Sequence, residues 1–319
     1  MIAPDGAVND GRPATPERSQ QQRLAPTEAA GAERAPILVG RGATIPTNLV
    51  AIAGNILSTD EEARMTQPDQ QPAIVSWTEP EGLNPRGTIV VIPGRGERPE
   101  VYERFGKRLS FDAYRVHAVA SPVEDPAATE EQIGQLLGGP GPFVLAGSDT
   151  GALFAIGLVV SGRVAADALL LAGLPTAAET AADAAGEDTA EADSSRSWEA
   201  ELEARTACPT HRGRLAGPIL RRGALYEPVP DGWLEAANLK AVTVPVLGLH
   251  GAADPVSPLA AARERYAAAP HAELVSITDG RHDAFNDITH RTAAATTVLF
   301  LERLRLGADL PPIAAPVTL

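Results

Sequence analysis

The sequence predicts an α/β fold with a mostly parallel central sheet, helices on both faces and an inserted lid. Three observations point there. From residue 73 onward, short β-rich runs alternate with helix-patterned stretches, the order produced by a parallel sheet with crossover helices. The 319 residues, 44% of them hydrophobic, suffice for one large core. The alternation breaks once, between Leu174 and Asn238, over a length too great for a plain loop in a compact domain.

Residues 1–45 are expected to form a disordered tail, being dominated by Pro, Gly, Gln, Ala and charges and lacking the apolar core of a secretory signal. The run Leu49–Leu57 is far shorter than the roughly 20 residues a bilayer requires, and reads as a docked helix or strand. The first part of the core is assigned to residues 46–173, with strands expected at Ala73–Thr78, Thr88–Ile92, Tyr114–Ala118, Phe143–Ala146 and Ala168–Leu171. Helices are expected between them at Glu100–Leu109, Thr129–Leu137 and Gly151–Val160. Residues 174–240 form the lid. The second part of the core, residues 241–306, brings strands Val246–Leu249 and Glu273–Ile277 with helices Pro258–Ala268 and Asp287–Leu304, and residues 307–319 form a C-terminal tail.

Composition narrows the function. A net charge of −14 argues against a nucleic-acid or anionic-membrane surface, because such binding needs Lys and Arg to neutralise phosphates. A small-molecule substrate is the expected partner, and the oligomeric state is left open. The single cysteine, Cys208, excludes an intramolecular disulfide and a CxxC redox pair, which fits a reducing cytoplasm. Neither a metal nor a cofactor is expected.

The lid is lopsided in charge. Thr176 to Glu203 carries nine acidic residues against one arginine, whereas Arg205 to Arg222 carries five arginines and no acid. These halves pair with each other or with water, or else arginines such as Arg212 and Arg214 face a pocket and hold an anionic group with the guanidinium fork. Tyr226 and Trp233 are the lid aromatics expected to line that pocket or to anchor the lid to the core.

Chemistry concentrates at three points along the chain. In "VLAGSDTGAL" an apolar strand runs through a turn bracketed by Gly147 and Gly151 into a helix. This is the G-x-S-x-G nucleophile elbow with Asp149 in the serine's place and Ser148 one residue early. Asp149 at the tip could attack carbon or merely cap the helix, and Ser148 could act only if the turn slipped by one residue. In "VPVLGLHGAADPVSP" a strand ends in a turn that delivers Asp254 to the carboxyl edge of the sheet, where ligands of parallel sheets collect. In "ITDGRHDAFND" His282 sits in the loop after the last strand. His250, His117 and Cys208 read as packed structural residues.

The order nucleophile, acid, histidine is that of the α/β-hydrolases. The stretch from about Ala73 to Leu306 resembles that superfamily and, within it, the lysophospholipase and monoglyceride-lipase-like branch. "VVIPGRGERPEVYERFGKRL" is similar to that branch's HGxGEHxxRY segment, and "GRHDAFND" to its GxRHExxNE segment. Pro93 stands where the branch has histidine, and Asp149 where it has serine. An aspartate at the elbow resembles epoxide hydrolases and haloalkane dehalogenases, which attack through the carboxylate and hydrolyse the resulting ester. That resemblance implies Asp149 as nucleophile, His282 as base for water and Asp254 as the group orienting His282. The resemblance to the α/β-hydrolases at large implies an oxyanion hole from the backbone amides of Arg95 and Thr150. Thr150 replaces the tryptophan of dehalogenases, and the lid has Tyr226 in place of the two tyrosines of epoxide hydrolases.

Retention of the Gly94-x-Gly96 loop tilts the expectation toward an ester, lactone or thioester, with an epoxide possible. The expected function is therefore cofactor-independent hydrolysis of a small to medium lipophilic substrate by an Asp-His-Asp triad. Asp149 as a general base for water, and a ligand-binding protein without hydrolytic activity, stand as alternatives.

Overall fold

A computed structural model describes residues 74–176, 197–315 and 317. The expected N-terminal tail, the run Leu49–Leu57 and residues 177–196 of the acidic stretch lie outside the described residues. Seven strands form one sheet: β1 (Val75–Trp77), β2 (Gly87–Ile92), β3 (Tyr114–Ala118), β4 (Phe143–Ser148), β5 (Ala168–Ala172), β6 (Val246–Gly251) and β7 (Ala272–Ile277). Their order across the sheet is β1-β3-β2-β4-β5-β6-β7. β1 pairs antiparallel with β3 at one edge, and every other pairing is parallel.

Strands buried on both faces must be apolar at consecutive positions, which is why GTIVVI and ALLLA read as continuous runs. The two faces can be followed along β2. Ile89 and Val91 pack in one core with Phe105 and Leu109 of helix α1 (Glu103–Phe111) and Phe300 of α8 (His290–Leu304). Val90 and Ile92 point into a second core with Ile133 of α2 (Pro126–Leu136), Leu153 of α3 (Thr150–Val160) and Ala262 of α7 (Leu259–Ala267).

Helix ends depart from the sequence expectation for local reasons. α2 starts at Pro126, three residues earlier than expected, because the Asp125 side chain accepts from the Ala128 amide and proline suits the first helical position. The helix expected from Glu100 is split into a 3-10 turn, Pro99–Tyr102, and α1. α8 starts at His290 instead of Asp287, whose carboxylate is committed to the Thr206 hydroxyl and the amides of Ala207 and Arg281.

Between β5 and β6 lie α4 (Trp198–Arg205), α5 (Pro209–Leu215), a 3-10 turn at Ala224–Tyr226, α6 (Trp233–Ala236) and another 3-10 turn at Leu239–Ala241. Backbone bonds fasten this segment to the sheet's carboxyl edge. The Arg98 amide donates to Ile219, the Arg221 amide to Gly96, and the amides of His282 and Asp283 to Ala204 and Arg205. Among the described residues no helix is long and apolar enough to cross a membrane.

Candidate active site

β4 extends through Ser148, so Ser148 is the last strand residue and Asp149 alone occupies the tip of the turn into α3. Asp149 has φ 51° and ψ −127°, a conformation costing on the order of 1–3 kcal/mol in a side-chain-bearing residue. The bracketing glycines are steric requirements. A Cβ on Gly147 would lie 2.4 Å from the Gly151 carbonyl oxygen, and one on Gly151 2.2 Å from that of Ile92. Ser148 is buried beside Tyr102.

Asp149, Asp254 and His282 converge. His282 Nδ1 lies 2.8 Å from Asp254 Oδ2, and its Nε2 lies 3.4 Å from Asp149 Oδ1. Asp254 is held by its turn, with Oδ1 accepting from the amides of Val256 and Ser257 at 2.9 and 3.0 Å. His250 is buried beneath it, its Nε2 2.7 Å from the Ser257 carbonyl oxygen, as expected of a packed histidine.

Arg95 contributes its side chain as well as its backbone. Its Nε donates to Asp149 Oδ2 at 2.9 Å and its Nη2 to Oδ1 at 2.8 Å, a bidentate fork between two residues each 1% exposed. The Arg95 amide, expected to face a substrate oxygen, also donates to Asp149 Oδ2 at 2.8 Å. Thr150 Oγ1 stands 3.5 Å from the same oxygen. Nη1 of Arg95 donates to the Glu227 carbonyl at 2.7 Å, tying the guanidinium to the segment between β5 and β6.

These contacts set the protonation states. Burial opposes charge on Asp149, but Arg95 and then His282 outweigh it and hold the carboxyl well below its ordinary range. Burial likewise opposes charge on Asp254, and His282 holds it down. For His282 burial favours the neutral ring, yet Asp254 and Asp149 together push the pKa up to about 10. The resting site is thus two carboxylates balanced by an imidazolium and a guanidinium.

A further buried network supports the Arg95 loop. Arg205 of α4 donates to Glu201 at 2.9 and 3.1 Å, to Glu97 at 3.0 Å and to the Arg95 carbonyl at 2.9 Å. Tyr102 also donates to Glu97. Next to His282, Asp283 lies 2.9 Å from His211 Nε2. The sequence reading missed these partners because it assigned Arg95 only a backbone role. An arginine between two glycines in a loop that must abut the elbow was the available signal, since a backbone donor needs no guanidinium.

Of the two alternatives for Arg212 and Arg214, pairing within the surrounding structure or facing a pocket, the contacts match the first. Arg212 donates to the Thr206 carbonyl at 2.8 Å and lies 3.7 Å from Glu203, while Arg214 pairs with Glu103 and reaches the Glu100 carbonyl at 3.3 Å. Trp233 packs on Phe154 of α3 with ring centroids 5.2 Å apart, fastening α6 to the helix that follows the elbow. Tyr226 closes the 3-10 turn one residue before Glu227, whose carbonyl receives Arg95.

A parallel sheet of this order, with a strained turn between β4 and α3 and an acid and histidine after β6 and β7, decides the architecture. The fold is that of the α/β-hydrolases. No protein-family model matches the chain, and no curated protein matches it in sequence. Solved structures do match. A soluble variant of monoglyceride lipase from Saccharomyces cerevisiae aligns with 16% identity and a TM-score of 0.56, over 72% of this chain and 91% of that one. The monoacylglycerol lipase of Paleococcus ferrophilus aligns with 18% identity and a TM-score of 0.55, over 73% and 98%. An esterase from Exiguobacterium antarcticum aligns with 19% identity and a TM-score of 0.56, over 72% and 94%. At such identities the likeness is one of fold.

Proposed function

We propose that the protein is a cofactor-independent hydrolase in which Asp149 is the nucleophile, His282 the proton carrier and Asp254 the group that orients it. The observation that carries this reading is the strained tip of the elbow, which presents the Asp149 carboxylate 3.4 Å from a histidine held by a second carboxylate. A helix cap alone needs no left-handed backbone and no such histidine. Small to medium lipophilic esters, lactones and thioesters come first among substrates, because structures sharing the fold include lipases and esterases by name. Epoxides come next.

For an ester, Asp149 attacks the acyl carbon, the bond to the alcohol oxygen breaks, and the departing alkoxide takes the proton from His282 Nε2. An acyl-aspartyl anhydride and a neutral imidazole remain. Loss of the Asp149 charge removes one of the two carboxylates that raise the His282 pKa, so the ring is then able to accept a proton from water. The hydroxide formed attacks the acyl carbon, the acid departs, and the Asp149 carboxylate and the imidazolium are restored. Asp149 acting only as a general base is disfavoured by the low pKa that Arg95 imposes on it.

The test is a panel of p-nitrophenyl esters with wild type, Asp149→Asn, His282→Gln and Ser148→Ala. Turnover should be lost in the first two variants and kept in Ser148→Ala. Activity retained by Asp149→Asn and lost in Ser148→Ala would reverse the assignment. The sealed state of Asp149 favours a second reading, a ligand-binding protein, which complete inertness of wild type across esters, lactones and epoxides would support.

A further inference from the structure

Both oxygens of Asp149 are occupied in the resting site. Oδ1 takes Arg95 Nη2 and faces His282, and Oδ2 takes Arg95 Nε, the Arg95 amide and the more distant Thr150 hydroxyl. A carboxylate with a guanidinium fork on both oxygens is a poor nucleophile until the fork leaves. Arg95 and Asp149 are both buried, so drawing the guanidinium away would leave a buried charge unpaired, and its release from Asp149 requires another anion to receive it. We infer that the Arg95 guanidinium is the receptor for a carboxylate on the substrate, which takes the fork from Asp149 and so frees the nucleophile. This rests on Asp149 being the nucleophile.

The remaining contacts suit such an exchange. Arg95 Nη1 is held by the Glu227 carbonyl and its backbone carbonyl by Arg205, so the residue is anchored from both ends while its Nε and Nη2 edge changes partner. Asp149 keeps the Arg95 amide, which does not move with the side chain. Because one fork now spans the nucleophile, the substrate carboxylate must sit close to the scissile bond. Short half-esters, with one free carboxylate and one esterified carboxyl, fit this requirement, whereas diesters lack the anion. The exchange also explains why the site is charge-balanced without substrate: Asp149 holds the receptor's place.

The experiment pairs binding with turnover on the full chain. Phenylacetate and phenylacetamide are titrated by calorimetry into wild type, Asp149→Asn and the double variant Asp149→Asn with Arg95→Gln. Removing the internal competitor should tighten phenylacetate by about tenfold or more in Asp149→Asn, with phenylacetamide unchanged. The double variant, which removes both charges together, should lose the preference for the carboxylate. In parallel, wild type should hydrolyse benzyl hydrogen succinate with kcat/KM about tenfold or more above benzyl methyl succinate. No gain in Asp149→Asn, or an equal gain for the amide, overturns the inference, as does equal hydrolysis of half-ester and diester. Tightened carboxylate binding with no turnover of either ester would sustain the receptor while removing the nucleophile on which the release step depends.

Discussion

At the scale of single residues, the site rests on one strained aspartate and the charges around it. Asp149, Asp254 and His282 were legible in the sequence because each is announced by backbone needs: a glycine-bracketed turn, a strand-end turn and a loop after the last strand. The Arg95 side chain was not, since a fork onto Asp149 depends on how closely two loops approach in space. Ser148→Ala should keep most of the activity, while His282→Gln should cost on the order of 10⁴ to 10⁶ in kcat on alkyl esters, as removal of one member of a catalytic unit does. The pH profile separates two roles for His282. If its imidazolium protonates the leaving alkoxide, kcat/KM for alkyl esters stays level through neutral pH and falls as pH rises past about 10. With p-nitrophenyl esters, whose leaving group needs no proton, that fall should vanish. A rate that climbs with pH toward 10 would instead make His282 a base from the start.

At the scale of elements, α4 is the piece that joins the segment between β5 and β6 to the site. Its last residue, Arg205, is fully buried between Glu97 and Glu201 and also holds the Arg95 carbonyl. Arg205→Ala would leave two buried carboxylates without their cation, and the expected loss is roughly 3–5 kcal/mol, read from the urea midpoint. Arg212→Gln and Arg214→Gln break partly exposed pairs and should each change stability by less than about 1 kcal/mol. KM for half-esters should also stay unchanged in both, as neither side chain reaches Asp149. The arginine-rich composition of this stretch was visible in the sequence, but which arginine turns inward was not. Charge counts carry no direction, and the decision falls to Glu97, more than a hundred residues away along the chain.

At the scale of the whole molecule, the continuous apolar strands and the helix patterns between them made the parallel sheet readable, and β4, β6 and β7 appeared where expected. Strand order was less accessible, since β3 lies outside β2 only because the chain returns past its starting strand. Stability should carry the imprint of the buried charges. His282 has a folded pKa raised from 6.5 to about 10, so its contribution is complete below pH 6.5 and is lost as pH rises toward 10. The Tm difference between wild type and His282→Gln should therefore shrink over that interval; a difference that grew would mean the imidazole is buried neutral. The most direct measurement on the protein as an enzyme is rapid mixing of His282→Gln with mono-p-nitrophenyl succinate, whose free carboxylate can take the Arg95 fork from Asp149. Attack by Asp149 needs no proton there, but hydrolysis of the acyl-enzyme needs the missing base. The expected result is a burst of about one equivalent of nitrophenol per protein chain with little further release, and an acyl adduct on the Asp149 peptide after acid quench. Steady release without a burst or adduct, from an ester that wild type also hydrolyses, would contradict a covalent role for Asp149.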